Sequence, residues 1–186
     1  MKKTSGTTSI PNLIGVLLVI VALVSAGGLY YTASVYARIS DTYVSVESAI
    51  TGMSVSYNNL TQTVDVTVTV LIDNPTSLDI QVYRVEYMSY MDKDPSSIFN
   101  YNRYTGSGST SERNNTVKAE SVREMQVSFK ITSENTYFDR VLYAMEDGPS
   151  LYFLVDGTVW FQVADYGQVK NQIGIFAMDY VEVDSV

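Results

Sequence analysis

VDVTVTVLIDNPTSLDIQVYRVEY, residues 64–87, decides the fold. Val64, Val66, Val68, Val70 and Ile72 alternate with Asp65, Thr67, Thr69, Leu71 and Asp73, the period of a strand with one buried face. Asn74-Pro75 ends that strand, because proline has no N–H to donate and pushes the residue before it toward extended or turn geometry. A second strand follows at once. Leu78, Ile80 and Val82 share one face and Tyr83, Val85 and Tyr87 the other, so the change of parity predicts either a bulge near Val82 or cover on both faces.

Downstream the alternation stops and returns. Residues 92–116, DKDPSSIFNYNRYTGSGSTSERNNT, read as a long polar loop or a poorly ordered hairpin. Its aromatic island, Phe99, Tyr101 and Tyr104, makes it a candidate contact loop, since exposed loops carry function more often than core strands; a tolerated insertion reads equally well. Arg123, Met125, Val127, Phe129 and Ile131 then oppose Glu124, Gln126, Ser128 and Lys130 in an edge-like amphipathic strand. Phe138, Val141, Leu142 and Met145 fit one face of a short helix that Gly148-Pro149 stops. From Leu151 to Val163 apolar residues alternate again, and Gly157 in mid-strand predicts a bend or the close packing of a neighbour. A last strand runs from about Val169 to Tyr180. About six strands with one short helix argue an all-β sandwich of antiparallel strands.

Upstream lies a different kind of sequence. Residues 13–31, LIGVLLVIVALVSAGGLYY, carry no charge, and all 20 Asp and Glu residues lie beyond them. At about 1.5 Å per residue, a helix of that length matches the roughly 30 Å hydrocarbon core of a bilayer. Lys2 and Lys3 flank it on the short side, and positive flanks stay cytoplasmic. The division is therefore a cytoplasmic tail (1–12), a transmembrane helix (13–31), a helical stalk (32–49) and an extracytoplasmic domain (50–186). A rival reading takes Val24-Ser25-Ala26 as a signal-peptidase site, which would release a secreted domain by cleavage after Ala26. The stalk rests on Val35, Ile39, Tyr43, Val46 and Ile50, spaced as one helix face. That face serves either packing on the protein's own domain or a partner-helix seam, as in a homo-oligomer.

Composition narrows the chemistry. Beyond residue 31, 10 Lys and Arg stand against 20 Asp and Glu, which makes nucleic acid and anionic lipid headgroups poor partners. The chain has no His and no Cys, which removes the commonest general base, the usual zinc ligands, thiol chemistry and disulfides. Asp92, Asp94 and Ser96 give a short oxygen-rich run, but Pro95 breaks the spacing and no glycine or terminal Glu completes a calcium loop, so no metal or cofactor is expected. A carboxylate-dependent hydrolase would require two acids facing one cleft about 5–9 Å apart. Asn59-Leu60-Thr61 and Asn114-Asn115-Thr116 match the N-glycosylation pattern, making Asn59 and Asn114 candidate sites on an external domain.

The order of these signals resembles the late embryogenesis abundant type 2 family, also called the water-stress and hypersensitive-response (WHy) domain. The resemblance is carried by residues 64–87, by ESVREMQVSFKIT at 120–132 and by LYFLVDGTVWFQVADYGQVKNQIGIF at 151–176, and it covers about residues 50–178. It implies a fibronectin-like β-sandwich with one helix, no known catalytic residues, and a link to desiccation or stress tolerance. Asn74, Pro75 and Gly157 stand as fold markers without a chemical role. The expected function is a non-enzymatic, membrane-anchored sandwich with a binding, structural or stress-protective role at the cell surface, touching a protein or envelope partner. The alternative is an accessory or structural subunit of a surface filament or motor, pilin-like or archaellum stator-like.

Overall fold

The computed structural model describes residues 10–92, 103–110, 115–146, 151–164 and 173–183. In chain order these form α1 (Ile10–Ser45), β1 (Glu47–Asn58), β2 (Thr63–Asn74), β3 (Ile80–Asp92), β4 (Tyr104–Thr110), β5 (Asn115–Val117), β6 (Ser121–Ile131), α2 (Phe138–Glu146), β7 (Leu151–Val163) and β8 (Ile173–Val183). The chain divides into two structural units, Met1–Ser40 and Asp41–Val186. In the first, every side chain described from Ile14 to Tyr31 is exposed along a continuous helix.

The second unit is a β-sandwich. One sheet has the order β1-β2-β6; the other runs β4-β3-β7-β8, with β5 pairing the start of β3, and all pairs are antiparallel. β4 lies against β6 and β1 against β8 where the sheets meet at their open sides. β2 is the centre of the smaller sheet, and its Val64, Val66, Val68, Val70 and Ile72 are fully buried. They meet Val85, Tyr87, Phe153, Val155, Val159 and Phe161 of the larger sheet in one continuous core. The parity change in β3 is a bulge. Pairing with β7 shifts register between Val82 and Arg84, so Val82 and Val85 both face inward and Tyr83 absorbs the extra residue.

Two expectations change. The helix ends at Ser45, short of residue 49, and Ile50 belongs to β1, a strand absent from the sequence reading. From Tyr43 onward, the helix-spaced face packs on the protein's own core: the Tyr43 ring lies 5.8 Å from that of Phe161, and Val46 and Ile50 are buried. Of the two readings of the polar stretch 92–116, the hairpin is what forms: β4 pairs antiparallel with β3, and β5 begins at Asn115. Gly106 is there because β4 crosses close over β6: a Cβ on it would sit 2.6 Å from the Phe129 ring. α2 buries Phe138, Val141 and Ala144, and its approach is set by Asn135, whose amide donates to the Thr105 carbonyl (3.0 Å) while its side-chain oxygen accepts from the Tyr137 N–H (2.9 Å).

Asn74 holds the corner where the chain crosses from the smaller sheet to the larger. Its side chain is fully buried, and its amide donates to the carbonyls of Leu78 (2.8 Å), Lys118 (3.0 Å) and Val117 (3.4 Å). Its oxygen accepts from the Thr76 hydroxyl (2.7 Å), which itself accepts from the Thr42 hydroxyl at the end of α1 (3.2 Å). Beside this corner, Asp79 accepts from the Lys118 ammonium (2.7 Å) and the Ala119 N–H (2.8 Å), which hold its carboxyl below the usual carboxylate range.

Asn74→Ala strands several buried carbonyls and a hydroxyl, and is expected to cost about 3 kcal/mol; Asn74→Asp, isosteric but without the donor, should cost at least as much in urea unfolding of the full chain in nonionic micelles. The depressed Asp79 value contributes stability that is present above the ordinary carboxylate pKa of about 3.9 and is lost as pH falls through the lower folded value. Acid titration of Asp79→Asn should therefore show a shallower loss of stability in that acid limb than the parent chain.

Candidate functional site

The bulge at Tyr83 also decides what the larger sheet shows to solvent. With Val85 and Tyr87 turned inward, Arg84, Glu86 and Met88 point outward beside Trp160, Thr158 and Asp156 of β7. Register continues across four strands: Ser109, Glu86, Thr158 and Phe176 form one row, and Ser107, Met88 and Asp156 the next. These rows enclose a surface depression of about 350 Å³.

Its floor is Gly157, paired with Tyr87. A Cβ at Gly157 would fall on the Tyr87 ring and the Glu86 carbonyl oxygen, so the close packing expected from a mid-strand glycine is what occurs. The Tyr87 hydroxyl is buried with no hydrogen-bond partner among the described residues, and burial pushes the phenol above its ordinary pKa. On the walls, Met88 is 44% and Phe176 79% exposed. The two carboxylates differ. Glu86 forms an ion pair with Arg84 and accepts from the Trp160 indole N–H (3.2 Å), so its charge and lone pairs are engaged. Asp156 has no ion-pair partner among the described residues. The depression thus presents one open carboxylate beside an exposed aromatic ring and a thioether.

Of the residues the sequence singles out, Gly157 floors the depression, and most of the others lie elsewhere. Tyr104 opens β4, stacks edge-on against Tyr90 with centroids 5.8 Å apart and donates to the Ser107 hydroxyl (2.8 Å), so it borders the depression through Ser107; Phe99 and Tyr101 lie outside the described residues. Asn59 is exposed in the β1–β2 turn, where the preceding Asn58 accepts from the Leu60 N–H (3.0 Å); Asn114 lies outside the described residues. Asn74 and Gly157 occupy the corner and floor described above, and Pro75 is exposed at the corner. Asp92 ends β3, and Asp94 and Ser96 fall outside the described residues. Glu86, Met88, Asp156 and Phe176 went unremarked in the sequence because only strand register brings them together; their outward parity was the available signal, and the bulge conceals it for Glu86 and Met88.

No family model matches the chain, and no curated protein matches it by sequence. Among solved structures, it aligns with a protein from Archaeoglobus fulgidus at 11% identity over 74% of this chain and 98% of that one, with a TM-score of 0.47. It aligns with a late embryogenesis abundant (LEA) protein known from its solution structure at 11% identity over 84% and 87% of the two chains, with a TM-score of 0.49. The ApaA protein from Bordetella pertussis aligns at 10% identity over 75% and 92%, with a TM-score of 0.40. These likenesses are distant, and the β-sandwich stands on its own strand pairing.

Gly157→Ala is expected to destabilise the domain by about 1–3 kcal/mol through overpacking against Tyr87 and the β3 backbone. Tyr87→Phe should be neutral or stabilising by up to about 1 kcal/mol, because it removes a buried hydroxyl that lacks a partner. Thermal and urea unfolding of both variants check the pair.

Proposed function

We propose that the chain is a single-pass membrane protein whose β-sandwich lies outside the cytoplasm and serves a binding or structural role at the cell surface. The observation that carries this reading is the uncharged helix from Ile14 to Tyr31 with every side chain exposed, long and apolar enough to cross a bilayer. A helix apolar on all sides is stable where lipid surrounds it. Lys2 and Lys3 support a cytoplasmic N-terminus, and Tyr30 and Tyr31 fall where an interfacial aromatic belt would lie. The excess of acids over bases beyond residue 31 keeps the domain itself off anionic headgroups.

A non-catalytic role is supported by the chemistry of the depression. Glu86 and Asp156 do share it, as a carboxylate-dependent hydrolase would require, but acid-base work on a sugar needs both carboxyl groups free to face the reacting bond. Glu86 is occupied by Arg84 and Trp160. With no His or Cys in the chain, no other general base of the usual kind stands in. The resemblance of the strand order to the LEA type 2 family adds a stress-protective role to the same proposal.

Fractionation tests the anchor. The full chain is expected to stay with membranes through an alkaline carbonate wash and to leave them only in detergent, as a monomer or small oligomer, with its N-terminus intact before Ala26. Val21→Lys places a charge at the middle of the span, at a cost of about 2.5–3.5 kcal/mol, and should release much of the protein from the membrane fraction. A soluble mature chain beginning at Gly27 would overturn the reading, and a detergent-resistant polymer would favour a filament subunit.

A further inference from the structure

The outer depression of the larger sheet is built to receive a cation on an apolar stem. Asp156 offers a carboxylate with no ion-pair partner among the described residues, and the neighbouring Glu86 is neutralised by Arg84, so one net negative charge faces the space. The Thr158 hydroxyl, two residues along the same outward face, supplies a second acceptor. Met88 and Phe176 line the sides with a thioether and an exposed ring. A methylene stem packs on such groups while its charged end stays at the carboxylate and the wet rim, and an ammonium near the Phe176 ring gains from the ring's negative face. The volume of about 350 Å³ lies within the range of small-ligand sites, which starts at about 300 Å³. The charge of the whole domain, 10 Lys and Arg against 20 Asp and Glu beyond residue 31, favours a basic visitor.

We propose that this depression binds a lysine side chain presented by an extended segment of a partner protein. The assignment rests on the surface-binding reading above and names the partner's chemistry. Lysine fits better than a planar guanidinium because its single ammonium needs only one carboxylate, and its four-carbon stem packs along Met88 and Phe176.

The test uses the full chain in nonionic micelles, titrated with an end-blocked Gly-Ser-Lys-Ser-Gly peptide, with the same peptide carrying norleucine for lysine, and with 1,4-diaminobutane, followed by NMR shifts or calorimetry. The lysine peptide should bind saturably, and Asp156→Asn and Phe176→Ala should each weaken it about threefold or more, the scale of one partly exposed ion pair. Asp73→Asn removes the same charge from the outer face of the smaller sheet and should leave affinity unchanged. Near-ultraviolet circular dichroism and Tm confirm that each variant is folded. Absence of saturable binding, equal binding of the norleucine peptide, tighter binding of the diamine than of the peptide, or equal weakening by Asp73→Asn would each overturn the proposal. Micelle titration does not depend on where the domain lies in a cell, so its failure leaves the membrane reading standing, and a soluble mature chain would leave a positive titration standing.

Discussion

The sandwich depends on one buried amide. Asn74 ends the central strand of the smaller sheet, and the five residues after it carry the chain into the larger sheet. The same side chain donates to the carbonyls of Val117 and Lys118, at the point where the chain crosses back from β5 to β6. Two of the three crossings between the sheets are therefore held by one group, the third running through α2, and the Thr76 hydroxyl extends the network to Thr42 at the end of α1. A buried polar network of this kind is stabilising only when each member is satisfied. Here the amide meets acceptors, the oxygen meets donors, and the corner becomes a point from which strand register in both sheets is set.

That constraint explains which parts of the fold were legible in the sequence. The alternation of Val64 to Ile72 and of Leu151 to Val163 marks strands buried on one face, and Asn74-Pro75 marks the corner, because period and turn chemistry are local properties. β1 was hidden because Val46 and Ile50 continue the four-residue spacing of the helix before them, while Gly52 and its serines weaken the strand pattern. β4 was only half legible, as one of two readings of 92–116, because its glycines, read locally, mean a turn; they serve a close crossing over Phe129 that only the tertiary fold creates. Tertiary packing overrides local propensity at both places. The candidate site was illegible for a related reason: Glu86, Met88, Asp156 and Phe176 lie on three strands, and the bulge at Tyr83 shifts the parity that would have aligned the first two with the others.

The two carboxylates of the depression differ in how the fold engages them. Glu86 is tied to Arg84 and Trp160 along its own face, so it stiffens the sheet surface. Asp156, diagonally across on β7, is left open to the depression. The two acids of the depression are thus not equivalent. The division of labour in the chain follows the same logic: an uncharged helix suited to lipid, a sandwich with its apolar residues gathered in one core, and a small area where apolar side chains and a carboxylate remain exposed together.

The proposed placement, with the helix spanning a membrane and the sandwich on its outer side, is open to a direct topology measurement. Because the chain contains no cysteine, single cysteines report position without background. Ser54→Cys on the exposed face of β1 and Ser5→Cys in the N-terminal tail, each in the full chain, are treated in intact cells with a membrane-impermeant maleimide. The account predicts labelling at position 54 in intact cells and at position 5 only after the membrane is opened; labelling at position 5 with protection at position 54 would contradict it.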